Sequence, residues 1–205
     1  MPSITRPFAL TALLALSSLH AQAANVSFAG HIAYNTDVVQ IAFSLDGAQS
    51  LTRLWTDSWQ AGLNFDPTLI LWVKEGSGYS LIGGNGMDHD DDNSVDPAQG
   101  FYDSGLSLPA LAAGHYLLTL GASPNYASGT RLSDGFAFDA MTPTLVADWN
   151  QPSHDLNAND QKGSFWRVNL SGVNTASVVP EPATLALILA GLSTLLLARR
   201  RPQVS

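Results

Sequence analysis

Cysteine is absent from the chain, which excludes disulfides, zinc–thiolate centres and cysteine nucleophiles. The fold must therefore be held by its apolar core, with bound cations as the remaining form of cross-link. Basic residues are scarce as well. Between Ala24 and Ser177 there are five (Arg53, Lys74, Arg131, Lys162 and Arg167) against sixteen acids. A surface this negative repels nucleic acid and anionic lipid and attracts divalent cations, so nucleic acid is not an expected partner. Glutamate is nearly missing from the same span: Glu75 is its one example, and every other acid is aspartate. Aspartate favours turns and metal loops, whereas glutamate favours helices. Helical patterning is missing too, because no stretch of that span keeps a 3.6-residue apolar period for three turns.

What replaces it is alternation. Ile41, Phe43 and Leu45 occupy every second position, as do Tyr116, Leu118 and Leu120, and then Trp166, Val168 and Leu170. A period of two places such residues on one face of a strand. Leu69 to Val73 is apolar throughout, the pattern of a strand covered on both faces. Shorter strand candidates are Val26 to Ile32, Leu51 to Trp55, Tyr79 to Ile82, Leu106 to Leu108 and Phe136 to Phe138. Turn-forming clusters separate them: Asp46-Gly47, Asp66-Pro67, Gly76-Ser77-Gly78, Gly83-Gly84-Asn85-Gly86, Ala112-Ala113-Gly114 and Ser133-Asp134-Gly135. Many short strands at regular spacing predict an all-β domain over residues 24–177, an antiparallel β-sandwich of jelly-roll type. Trp72 and Trp166 fall within apolar strand patterns and are expected in its core. Ser171 to Ser177, small and polar, reads as a spacer.

The two ends read differently. Arg6, the apolar run Phe8 to Leu16 and the exit Ala21-Gln22-Ala23 describe a secretory signal peptide over residues 1–23, with a mature start near Ala24. That apolar run is far shorter than the ~20 residues a spanning helix needs. At the other end, Ala183 to Ala198 is largely apolar and Arg199, Arg200 and Arg201 follow directly. As a helix this run is roughly 24 Å long, enough to insert where the bilayer thins locally. The arginines would remain cytoplasmic, with the body of the chain outside. Residues 178–201 are thus expected to form a tail with a single hydrophobic helix over 183–198.

The densest chemical feature is Asp88-His89-Asp90-Asp91-Asp92-Asn93-Ser94-Val95-Asp96, which places five carboxylates within nine residues. Their mutual repulsion, about 1 kcal/mol per close pair in water, is relieved by a hard cation with oxygen ligands, and calcium fits best. Asp88, Asp90, Asp92 and Asp96 are the candidate ligands, with Asp66 as a further carboxylate that would converge on the same point. The first three have the alternate spacing that opens an EF-hand loop. However, Asn93 stands at the glycine position and Gln99 at that of the bidentate glutamate, so an EF-hand is rejected. A solvated acidic loop is the competing reading. Histidines 31, 89, 115 and 154 show no zinc spacing, and neither a G-x-S-x-G elbow nor a phosphate loop occurs. An enzyme is therefore not expected. Trp59 and Trp149 sit among polar residues and are the candidates for stacking on sugar rings.

Val179-Pro180-Glu181-Pro182, followed by the apolar run and Arg199-Arg200-Arg201, resembles the PEP-CTERM sorting signal of Gram-negative exopolysaccharide producers. The resemblance implies transient anchoring in the inner membrane, processing near Pro-Glu-Pro by an exosortase, and release to the cell surface or extracellular matrix. The prolines keep the helix from continuing back through Pro182, which leaves the motif extended. The same motif has also carried an ice-binding label, but the Thr-x-Thr arrays of an ice-binding face are missing here. Over about Val38 to Leu170, the segments Asp66 to Trp72, the aspartate cluster and Leu111 to Leu120 are similar to bacterial pre-peptidase C-terminal domains. The Trp166 to Leu170 strand has a counterpart in related PEP-CTERM proteins. This second resemblance implies a calcium-associated jelly roll, from which the long Asp88 to Asp96 insertion departs. The expected function is a non-catalytic surface or matrix protein, and the alternative is a carbohydrate-binding module for exopolysaccharide.

Overall fold

A computed structural model describes residues 24–82, 93–151 and 162–180. The strands are β1 (Ala24–His31), β2 (Val39–Leu45), β3 (Gln49–Thr56), β4 (Pro67–Glu75), β5 (Gly78–Leu81), β6 (Gly105–Leu111), β7 (Gly114–Ala122), β8 (Phe165–Val173) and β9 (Thr175–Val179). They form two sheets, one in the order β1-β8-β3-β6 and the other in the order β5-β4-β7-β2-β9. All neighbours are antiparallel. The chain changes sheet at every connection except the β4–β5 hairpin. There Glu75 pairs with Gly78 across a two-residue turn, and Gly76 takes φ +58°, a value glycine tolerates best.

The alternation seen in the sequence sets the inner faces. Ile41, Phe43 and Leu45 of β2 meet Tyr116, Leu118 and Leu120 of β7, and both strands face Trp166, Val168 and Leu170 of β8. Each buried Leu, Ile or Val side chain contributes about 1.5–3 kcal/mol of hydrophobic stabilisation. Phe43 stacks on Tyr116 with ring centroids 5.2 Å apart. The Tyr116 hydroxyl donates to the Ala112 carbonyl at 2.7 Å.

β4 is covered on both faces, as its continuous apolar run requires. Leu69 and Leu71 enter the main core, while Ile70 and Trp72 join Leu117 in a second cluster on the outer face. Phe136, Leu132 and Ala127 close over that cluster from the β7–β8 connection. The Phe136 ring meets the Trp72 ring edge-on at 6.2 Å, and Trp72 Nε1–H donates to Thr119 Oγ1 at 3.0 Å. Phe136 to Phe138 is thus a cover over the sheet, tied to Ala127 by one bridge, where the sequence suggested a strand.

A further difference lies at the C-terminal side. Ser171 to Ser177, expected as a spacer, is the end of β8 followed by most of β9. β9 pairs with β2 from Gln40↔Val179 to Ser44↔Thr175. The sheet therefore continues into the first residue of the Val179-Pro180-Glu181-Pro182 motif. The expected signal peptide (1–23), the expected hydrophobic helix over 183–198, Glu181, Pro182 and Arg199 to Arg201 lie outside the described residues.

Candidate functional site

The acidic segment falls in the connection between β5 of the five-stranded sheet and β6 of the four-stranded one. Asp88, Asp90 and Asp92 lie outside the described residues, but the leg that carries Asp96 is tightly organised. Val95 and Asp96 N–H both donate to Gln99 Oε1 at 2.9 Å, and Ala98 N–H donates to Asp96 Oδ1 at 3.0 Å. Gln99 Nε2–H donates in turn to the Ser104 carbonyl at 3.1 Å. This is an aspartate-initiated turn of the kind expected of Asp-Pro sequences.

At the foot of that leg sits Asp103, 1% exposed. Its Oδ1 accepts from Thr56 Oγ1–H at 2.8 Å, from Ser58 N–H at 2.9 Å and from Trp59 N–H at 3.1 Å. Its Oδ2 accepts from Gly100 N–H at 2.8 Å. Four donors compensate the burial of one carboxylate. They tie the end of β3 to the loop before β6. Nearby, Arg167 grips Asp57 with two bonds, Nε to Oδ1 at 2.6 Å and Nη2 to Oδ2 at 2.8 Å. That hydrogen bond raises the guanidinium pKa above its ordinary value, with the charges of Asp57 and Asp103 adding to it and burial opposing it.

Asp66 directly precedes β4 and is 1% exposed. Its backbone is clamped by Gln151, whose Oε1 accepts from Asp66 N–H at 3.0 Å and whose Nε2–H donates to the Asp66 carbonyl at 2.9 Å. The same Nε2 also donates to the Ser123 carbonyl at 2.8 Å. Asp66 thus lies within the fold, while Asp96 is half-buried on the loop and serves its own turn. Among the described residues no three His, Cys, Asp or Glu side chains are grouped to hold a metal ion. Three of the five candidate calcium ligands, Asp88, Asp90 and Asp92, lie outside those residues.

Trp59 is buried and Trp149 is half-buried. Trp59 is 7% exposed and meets Tyr102 edge-on at 5.2 Å, with Tyr102 in turn against Phe101 at 4.9 Å. Gly100 closes the other approach: a Cβ there would come within 2.6 Å of Trp59 Cε3. Of the polar neighbours that suggested an exposed position, Ser58 donates its N–H to Asp103 and Asp57 pairs with Arg167. Trp149 is half-buried, packs on the main core and meets Phe138 edge-on at 5.9 Å.

Asp103 and Gln151 are the organising residues that sequence reasoning passed over. A signal for the first exists in Asp103-Ser104-Gly105, a turn-forming acid directly before a strand. Gln151 carried none, since its partners are backbone atoms distant in sequence.

No family model matches the chain, and comparison with curated proteins finds no match.

Proposed function

We propose that the chain is an exported, non-catalytic component of the cell surface or extracellular matrix, sorted through its C-terminal tail by an exosortase after transient residence in the inner membrane. The observation that carries this reading is the position of the motif. Val179 closes β9 at the sheet edge, exposed, and Pro180 follows it, also exposed. A processing enzyme would therefore meet Pro180-Glu181-Pro182 where the sandwich ends. The jelly-roll form of the sandwich is supported by strand order: β1-β8-β3-β6 against β5-β4-β7-β2 is the arrangement of two interleaved Greek keys, with β9 added beside β2. Calcium enters the proposal as a stabiliser of the Asp88 to Asp96 segment, on the strength of its crowded carboxylates.

The test is fractionation of cells that carry an exosortase. With the native tail, the processed protein should appear outside the inner membrane. The double variant Pro180→Ala, Pro182→Ala should accumulate there at full length. Release of that variant at the native rate would overturn the sorting reading. Carbohydrate recognition remains as a second reading, favoured by a feature of the outer sheet face rather than by Trp59 or Trp149.

A further inference from the structure

On the outer face of the five-stranded sheet, the register places polar and aromatic side chains in one row across the strands. Thr175 of β9 is opposite Ser44 of β2, Ser44 is opposite His115 of β7, and Lys74 of β4 is opposite Tyr79 of β5. The Ser44 and Thr175 hydroxyls are joined at 2.7 Å. With strands ~4.8 Å apart, the row is roughly 19 Å long. In the next row Ala42 lies between Ser177 and Leu117, and its small side chain lowers the floor. The resulting hollow is about 160 Å³ and is lined by Ala42, Ser44, Lys74, Tyr79, His115 and Thr175, among others.

Tyr79 also borders a second hollow of about 290 Å³, formed with Ser77, Gly78, Arg131, Leu132 and Ser133. One half-buried phenol ring therefore separates two depressions, one carrying Lys74 and the other Arg131. Among the described residues no carboxylate lines either hollow. The contrast with the rest of the molecule is large, because Ala24 to Ser177 holds sixteen acids and five bases. The other bases are engaged or buried: Arg167 is bound to Asp57, Arg53 lies over the Trp55 ring, and Lys162 is buried. The nearest acids are turned to other tasks. Glu75 accepts from the Ser80 hydroxyl, and Asp134 accepts from Arg131 N–H. Among the described residues, the Lys74 ammonium and the His115 imidazole have no ion-pair or hydrogen-bond partner.

We propose that this face binds an acidic polysaccharide, with a sugar ring on Tyr79, uronate or other acidic substituents at Lys74 and Arg131, and sugar hydroxyls along His115, Ser44 and Thr175. The charge of the two hollows selects an anionic ligand. The flat ring and the row of hydroxyl and imidazole groups select a saccharide over other anions, because a sugar has an apolar face and a dense rim of donors and acceptors. This assignment deepens the carbohydrate reading and does not rest on the sorting tail.

The test uses the full chain in detergent micelles, titrated with polygalacturonate, with neutral dextran and polyglutamate as comparison probes. Polygalacturonate is expected to bind, with a Kd that rises with added salt. Dextran and polyglutamate are expected to bind much more weakly. Lys74→Gln, on an exposed side chain, and Tyr79→Ala are each expected to weaken binding about tenfold. Because Tyr79 also packs on the Trp72 cluster, thermal unfolding is measured alongside, and Lys74→Gln decides if Tyr79→Ala does not fold. Absence of polygalacturonate binding, or equal binding of polyglutamate, overturns the proposal. Binding that survives Lys74→Gln unchanged removes this face while leaving carbohydrate recognition elsewhere on the domain. None of these outcomes touches the sorting reading, which is read by fractionation.

Discussion

At the scale of single residues, a buried aspartate organises the loop end of the sandwich. Asp103 holds three donors on one oxygen and a fourth on the other, joining the end of β3 to the turn at Gly100. Charged acceptors contribute more than neutral ones, and donors left without an acceptor in a dry site carry the full desolvation penalty. Asp103→Ala should therefore lower unfolding stability by about 3 kcal/mol or more, read as a shifted urea midpoint. A variant as stable as the native chain would mean that water replaces the carboxylate. The consequence extends to Trp59, whose position under Gly100 and Tyr102 depends on the same turn. Loss of Asp103 should thus red-shift tryptophan emission as well as weaken the fold.

Trp59 also shows where residue-by-residue reading stops. Its neighbours Asp57, Ser58 and Gln60 are polar, which suggests a surface position. The polarity of Asp57 and Ser58 reflects pairing with Arg167 and Asp103, more than forty residues away, and no local window contains that information. Trp72 and Trp166 were legible because each lies within the apolar pattern of its own strand.

At the scale of elements, legibility followed how many faces a strand buries. β2 and β8 alternate because one face meets the core, and β4 is continuously apolar because both faces are covered; β7 is also covered on both faces, with Thr119 facing Trp72 on the outer one. β9 left no such trace. Its five residues, Thr-Ala-Ser-Val-Val, lie at a sheet edge with only Ala176 packed on the core. Phe136 to Phe138 erred in the opposite direction: its aromatics alternate because one covers Trp72 and the other meets Trp149, without a strand between them. β9 nevertheless protects the β2 edge, an unpaired strand being a template for association. A chain ending at Asn174 should be less stable than one ending at Pro180, by about 2 kcal/mol for the lost ladder net of its ordering entropy. It should also self-associate, as light scattering would report. Equal urea midpoints for the two chains would show that β9 contributes nothing to the fold.

At the scale of the whole molecule, acidity is unevenly spread. Five carboxylates are concentrated between Asp88 and Asp96, while among the described residues none lines either hollow beside Tyr79. If calcium neutralises the first region, it binds the native state and raises its stability, by about 2.7 kcal/mol at a hundred times Kd. The melting temperature should then rise with calcium and fall with EDTA, and a melting curve that EDTA leaves unmoved would remove calcium from the account. The aspartate cluster was plain in the sequence. The basic strip was not, because Lys74 and Arg131 are far apart along the chain and meet only through the β4–β5 hairpin and the segment bridged to Ser80.

The edge position of β9 has a mechanical consequence. The chain beyond Pro180 is joined to the fold through one short strand, held along its length by the ladder from Gln40↔Val179 to Ser44↔Thr175. Tension applied to the tail along the strand axis loads these bonds in shear, so they share the force and fail together. Tension applied across the sheet would open them one pair at a time, from Val179 inward. The direction in which the tail is pulled thus decides whether the final strand acts as a clamp or as a zipper.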